Sequence, residues 1–376
     1  MFIISPTEEA RKGGMGHVTK VRDIIGLIKD KASQSKAALL SKPSKLSLHL
    51  ALLRATTHDS FNPPDVKHIA TILSFGHSSR ATASVAIEAL MDRLQSTRDS
   101  SVALKCLITV HHVIKHGSFI LHDQLSVYPS NGGRNYLKLS NFRDGSSPIT
   151  WELSSWVRWY AQYIETLLCT SRILGLFLAT SSSSSTTLDK DKQEETISAL
   201  MNQDLLKQTV SLVGLMEEIC KRPDSLHVTG NKLVGEIMRF VGEDCLSATN
   251  EVSIRITDFR ERLNGMSFGE SVELVCALKR LENCKERLFE LSTGKKSFIE
   301  SFWSLVSEIK DRVGRQKVYE DDGKLLLKAR SEKVSESARF SERVLRRSDD
   351  SVQFSSGRLG LDGFPFQILE SVEPYA

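Results

Sequence analysis

The segment Arg54-Ala-Thr-Thr-His-Asp-Ser-Phe-Asn-Pro-Pro-Asp-Val-Lys67-His68 places Arg54 before a proline pair and Lys67 and His68 after it. Asn62 can cap a helix with Pro63 at its first position and Asp65 in its first turn, so Lys67 and His68 fall near a helix start. Backbone N–H groups and the helix dipole favour an anion there, and Lys67, His68 and Arg54 could supply the charges that grip phosphate groups. The plainer reading is an ordinary capped helix with solvated basic residues, and spacing alone leaves both open.

Other reactive side chains are arranged less suggestively. His112 and His116 have the i, i+4 spacing of a helical metal pair, with His111 and His122 nearby. Val113, however, stands where a zinc protease needs its glutamate, and the spacing indicates no third ligand, so no metal or cofactor is expected. Phosphate-loop, dinucleotide-binding and nucleophile-elbow patterns do not occur, and nothing in the sequence demands an enzyme. Cysteines 106, 169, 220, 245, 276 and 284 form no C-x-x-C pair, which reads as free thiols in a reducing, cytoplasmic setting.

The elements that must position these residues read as helices. Nine prolines leave long proline-free stretches at 65–128, 149–222 and 224–364. Apolar residues there recur at helical spacing, as in Val102, Leu104, Leu107, Ile108, Val110 and Ile114, and no hairpin or strand–helix alternation is convincing. The expectation is an all-α right-handed superhelical solenoid of antiparallel helices. Trp156, Trp159, Tyr160 and Tyr163 at i, i+3, i+4 and i+7 read as a core seam, and Asp204-Leu205-Leu206 sits inside a helical pattern and reads as core as well. The polar run Thr180 to Thr187 divides a first helical half from a second, residues 1–15 read as a loose disordered extension, and 311–376 as partly helical and then a disordered tail.

Charge narrows the partner. The 376 residues carry a net charge of only +4, too little for coating nucleic acid, yet between Gly16 and Arg54 eight basic residues face two acidic ones. No apolar run approaches the roughly 18 residues that span a bilayer, so membrane contact would be peripheral, and the natural partner of this positive end is a cytosolic membrane surface or another polyanion. Residues 17–31 are amphipathic, with Val18, Val21, Ile24, Ile25 and Ile28 on one face and Lys20, Arg22, Lys29 and Lys31 largely off it. Such a helix either lies in the lipid interface or packs its apolar face on the bundle. Phe364 and Phe366, in Gly363-Phe-Pro-Phe366, form an exposed aromatic turn that could dock on a partner protein.

Arg-Ala-Thr-Thr-His-Asp followed by Lys-His resembles the phosphoinositide signature of the ANTH-domain clathrin-assembly proteins, relatives of the ENTH domain, in which Lys-Ala-Thr-Thr-His-Glu precedes a Lys-x-Lys-His cluster. Asp23-Ile-Ile-Gly-Leu-Ile-Lys-Asp-Lys31, Lys105-Cys-Leu-Ile-Thr-Val-His-His112, Tyr136-Leu-Lys-Leu-Ser-Asn-Phe142 and Trp156-Val-Arg-Trp-Tyr-Ala-Gln-Tyr163 are similar to blocks of plant-type members. The resemblance implies an ANTH domain over 16–310, with an ENTH-like core at about 16–170, a polar loop at 180–195 and a second helical half at 196–310. It implies phosphatidylinositol 4,5-bisphosphate as ligand, with Arg54, Lys67 and His68 matching three motif positions. Asp65, or Pro64 if no gap is placed, stands at the motif's middle lysine, and Lys42 and Lys45 are compensating candidates. The implied partners are clathrin heavy chain, other coat adaptors and VAMP-type SNAREs, the last held by the second helical half, and the implied location is clathrin-coated pits and vesicles of the plasma membrane and Golgi.

Overall fold

Long proline-free stretches become long helices. The structure, a computed structural model, describes residues 7–127, 137–178, 194–224, 228–291 and 296–332, with backbone alone at 7–20, 43–44, 296 and 316–332. Helices α1 (Thr7–Leu40), α2 (Pro43–Ala55), α3 (Val66–Ser74), α4 (Arg80–Ser96), α5 (Ser100–His116), α6 (Phe119–Ser126) and α7 (Pro148–Leu174) make the first half. The second half has α8 (Asn202–Cys220), α9 (Lys232–Arg262), α10 (Phe268–Glu282), α11 (Lys285–Leu291) and α12 (Lys296–Glu332). No strand occurs among the described residues. The all-α solenoid expected from periodicity is the fold found.

Local chemistry sets the helix starts. Ser79, Ser147 and Ser267 begin α4, α7 and α10 with reciprocal capping boxes to Thr82, Thr150 and Glu270, and Asp99 and Asn231 cap α5 and α9. Gly175 ends α7 at a φ of +73°, a left-handed conformation open to glycine at little cost. The chain then layers each helix on its neighbours. α2 packs on α1 and α3, α4 on α5 and α6, α7 bridges α5 and α8, and α8 is flanked by α9 and α10.

α5 is the axis of the first half: Val102, Leu104, Leu107, Val110 and Ile114 are fully buried, with Lys105 and His111 buried among them. Trp156, Trp159, Tyr160 and Tyr163 of α7 are buried too, so that stripe is core as read, and so are Leu205 and Leu206 of α8.

The halves meet through a buried polar joint. On α9, Asp244 accepts from Tyr163 at 2.5 Å and pairs with His111 at 2.8 Å and Lys115 at 2.7 Å, while His111 Nδ1 lies 2.7 Å from Tyr160. Burial alone would raise the Asp244 pKa, but the neighbouring His111 and Lys115 outweigh it and hold it at about 2.

One expectation changes, at the N-terminal end. α1 begins at Thr7, so most of the stretch read as a loose extension is helical backbone, and residues 1–6 lie outside the described residues. Helix α12 runs past 310 with Val313 buried, and the first compact unit ends at Asp321, the second taking Asp322 onward. Phe364, Phe366 and most of the polar loop (179–193) lie outside the described residues.

Candidate functional site

Arg54 sits in the last turn of α2, where a cation complements the helix dipole, and its side chain is exposed. Lys67 and His68 occupy the first turn of α3, Lys67 exposed and His68 half-buried. Ten residues, 56–65, join the two helices, and nearly every one is anchored.

Thr56 closes α2: its N–H and hydroxyl both donate to Leu52 O at 3.0 and 2.7 Å, and Arg93 of α4 donates to its hydroxyl and carbonyl at 3.1 and 3.0 Å. Thr57 Oγ1 accepts from the buried Lys105 Nζ at 2.7 Å. Burial pushes the Lys105 ammonium down to about 8, with Asp59, Asp30 and Asp99 opposing that shift. His58 is clasped by Asp30 of α1, through its backbone N–H at 3.1 Å and its ring Nδ1 at 2.7 Å.

Asp59 folds the next turn, accepting from Phe61 N at 2.9 Å and Asn62 Nδ2 at 2.7 Å. Desolvation would raise its pKa, but these bonds and the charge of Lys105 leave it below the ordinary carboxylate value. Two further bonds reach the second half: Asn231 Nδ2 donates to Ser60 O at 2.8 Å and Leu233 N to Phe61 O at 2.9 Å. The middle of the signature, Thr-Thr-His-Asp, is therefore architecture, and the cations at its ends are what face outward.

The cap expected at Asn62 is instead Asp65, whose carboxylate accepts from Lys67 N at 2.9 Å. A residue before proline avoids the helical region, so Asn62 and Pro63, each followed by a proline, are both held out of the helix and α3 starts only at Val66. The consequence bears on anion binding: an N–H of the α3 terminus expected to greet a phosphate already serves the chain's own carboxylate.

Helix α1 also differs from its simplest reading. It packs through Gly26, where an added Cβ would lie 3.0 Å from His58 Cβ, and through Asp30. Val21, Ile24, Ile25 and Ile28 of the apolar stripe, with Leu27 beside them, are 45–62% exposed, so of the two readings of this helix, packing of that face on the bundle is not the one found. Arg22 turns inward, Nη1 donating to Ser147 Oγ at 3.3 Å and Nη2 lying 3.8 Å from Asp99, which removes it from the proposed membrane-facing set. Lys29 and Lys31 are exposed, and the Lys20 side chain lies outside the described residues.

Lys42 is exposed at the start of α2, and Lys45 lines a separate groove of about 570 Å³ between α1, α2 and α4, with Lys36 and His49 beside it and Glu88 and Asp92 opposite. The structure thus places Arg54, Lys67 and His68 at the two ends of one anchored loop and puts Lys45 in a different feature. His112 and His116 have ring centroids 5.9 Å apart, burial pushes His112 down to about 4, and no cluster able to hold a metal occurs among the described residues. The Asp30–His58 clasp and the Asn231 and Leu233 contacts were not read from the sequence, because they join residues 28 to more than 170 positions apart. No helix among the described residues is long and apolar enough to cross a membrane.

Comparison with known proteins covers this same region. The ANTH domain family model matches residues 47–294, from α2 through α11. "Putative clathrin assembly protein At4g40080" of Arabidopsis thaliana is 53% identical over 365 residues, covering 94% of this chain and 98% of that protein. "Putative clathrin assembly protein At5g65370" from the same plant is 35% identical over 304 residues, covering 78% and 99%. "Putative clathrin assembly protein At5g10410", also of Arabidopsis thaliana, is 35% identical over 295 residues, covering 76% and 84%. A family model spanning the anchored loop together with both helical halves, and relatives matched over most of their length, establish that the chain belongs to the ANTH-domain family.

Proposed function

We propose that the protein is a peripheral membrane adaptor that binds phosphatidylinositol 4,5-bisphosphate and promotes assembly of a clathrin coat. The observation that carries this is the pairing of an ANTH match over 47–294 with Arg54, Lys67 and His68 set at the ends of a loop locked by Thr56, Thr57 and His58. A locked loop holds its cations in place before the ligand arrives, which lowers the ordering cost of binding. The exposed stripe of α1 supports a second, interfacial contact flanked by Lys29 and Lys31.

The relatives' names speak of clathrin assembly, which supports the coat reading. In this proposal clathrin heavy chain and other coat adaptors are the partners, and coated pits and vesicles of the plasma membrane and Golgi are the location. A VAMP-type SNARE helix held by 196–310 would be the cargo, with helix-in-groove packing as the mode of binding. The reading assigns no catalysis. Flotation with phosphatidylcholine vesicles, with and without phosphatidylinositol 4,5-bisphosphate, tests it: binding that needs the phosphoinositide is the expected result. Equal partitioning in both would favour a helical scaffold that binds only proteins.

A further inference from the structure

The anchored loop carries two features that its basic residues do not explain. Phe61 is 46% exposed at the tip of the Asp59 turn. Over its ring stands Lys232, the first residue of α9, with Nζ 5.5 Å from the ring centroid. The two backbones are tied by the Leu233 N–H bond to Phe61 O and the Asn231 side-chain bond to Ser60 O. An aromatic ring and a lysine, both exposed, are thus locked side by side on residues 171 positions apart.

Charge gives this pair a purpose. Within 54–67, Arg54 and Lys67 are matched by Asp59 and Asp65, so the fixed charges of the loop itself cancel. Lys232 comes from the other half of the molecule and adds a cation there, while Glu236, one turn further along α9, is held by Arg239 at 2.7 Å. An exposed aromatic ring under a lysine fits the headgroup level of an anionic bilayer, where the ring reaches the acyl boundary and the ammonium stays among phosphates.

We infer that Phe61 and Lys232 form a membrane-contact point supplied jointly by the two helical halves, with an anionic lipid surface as its occupant. This rests on the lipid reading above and extends it from a headgroup site to a bilayer contact. Lys232 gives the second half a direct part in membrane binding, and the rigid Asn231 and Leu233 bonds fix how that half meets the surface.

The test uses the full chain and vesicles of phosphatidylcholine with phosphatidylserine and phosphatidylinositol 4,5-bisphosphate, with soluble inositol 1,4,5-trisphosphate as a second ligand. Lys232→Ala should weaken vesicle binding about fivefold and Lys232→Glu about thirtyfold. Phe61→Ser should weaken vesicle binding several-fold and leave inositol trisphosphate binding unchanged, since no bilayer is present to receive the ring. Thermal melting checks that each variant is folded. Phe61→Trp keeps the ring, and the fluorescence it adds should be quenched by lipids brominated in the acyl chains. Undiminished vesicle binding by folded Phe61→Ser and Lys232→Glu, or absence of that quenching, would overturn the inference. The headgroup reading would fail separately, if Arg54→Ala with Lys67→Ala left inositol trisphosphate binding intact.

Discussion

Asp65 performs two opposed tasks. As the cap of α3 its carboxylate takes the Lys67 N–H at 2.9 Å, and as a charge two residues from Lys67 it repels the phosphate that Lys67 would bind. The tasks separate on substitution. Asp65→Asn keeps a capping oxygen and removes the charge, so the melting point should barely move while vesicle affinity rises about fivefold. Asp65→Lys should tighten binding further at a stability cost of about 1 kcal/mol from the lost cap, read by urea denaturation.

Lys105 gives a second residue-level test. Its folded pKa of about 8 lies below the ordinary lysine value because burial disfavours the ammonium. Below pH 8 both folded and unfolded chains hold the proton and the penalty is constant. Between pH 8 and the ordinary value the unfolded chain holds it more tightly, so stability rises with pH, by up to about 3 kcal/mol. Lys105→Met should lack that rise when the two proteins are compared by denaturation across this range.

At the scale of elements, helices were legible where apolar spacing and proline gaps agree, as in α5, α7 and α8. Boundaries were less so. Asn62 looked like a cap because Pro63 looked like a first helical residue, and the second proline reverses that reading through its effect on the residue before it. α1 shows a different limit: periodicity identified an apolar stripe, but which face packs was decided by Gly26 and Asp30 meeting His58, pairings across 32 and 28 positions. Removing that clasp tests its weight. Asp30→Ala leaves the His58 ring and N–H without their acceptor, so it should cost about 1–3 kcal/mol and speed proteolysis within α1.

At the scale of the molecule, a buried charged joint and an anchored loop bind the two halves. Asp244 is surrounded by Tyr163, His111 and Lys115, and Asp244→Ala would strand a buried lysine and histidine, at a cost of about 3–5 kcal/mol in calorimetry or denaturant melts. No sequence pattern announced this joint, because its members lie on three helices and each alone reads as an ordinary polar residue. The candidate lipid site was legible through its cations, whereas the scaffolding that holds them was not. The central claim is that Arg54 and Lys67 bind phosphoinositide from this scaffold. Co-sedimentation of the Arg54→Ala, Lys67→Ala double variant with phosphatidylinositol 4,5-bisphosphate vesicles should show a loss of about 2 kcal/mol, roughly thirtyfold in affinity, with wild-type binding weakening as salt rises. Unchanged affinity in the folded double variant would contradict it and move the headgroup site to another basic surface, the exposed lysines between Lys29 and Lys45 being the next candidates.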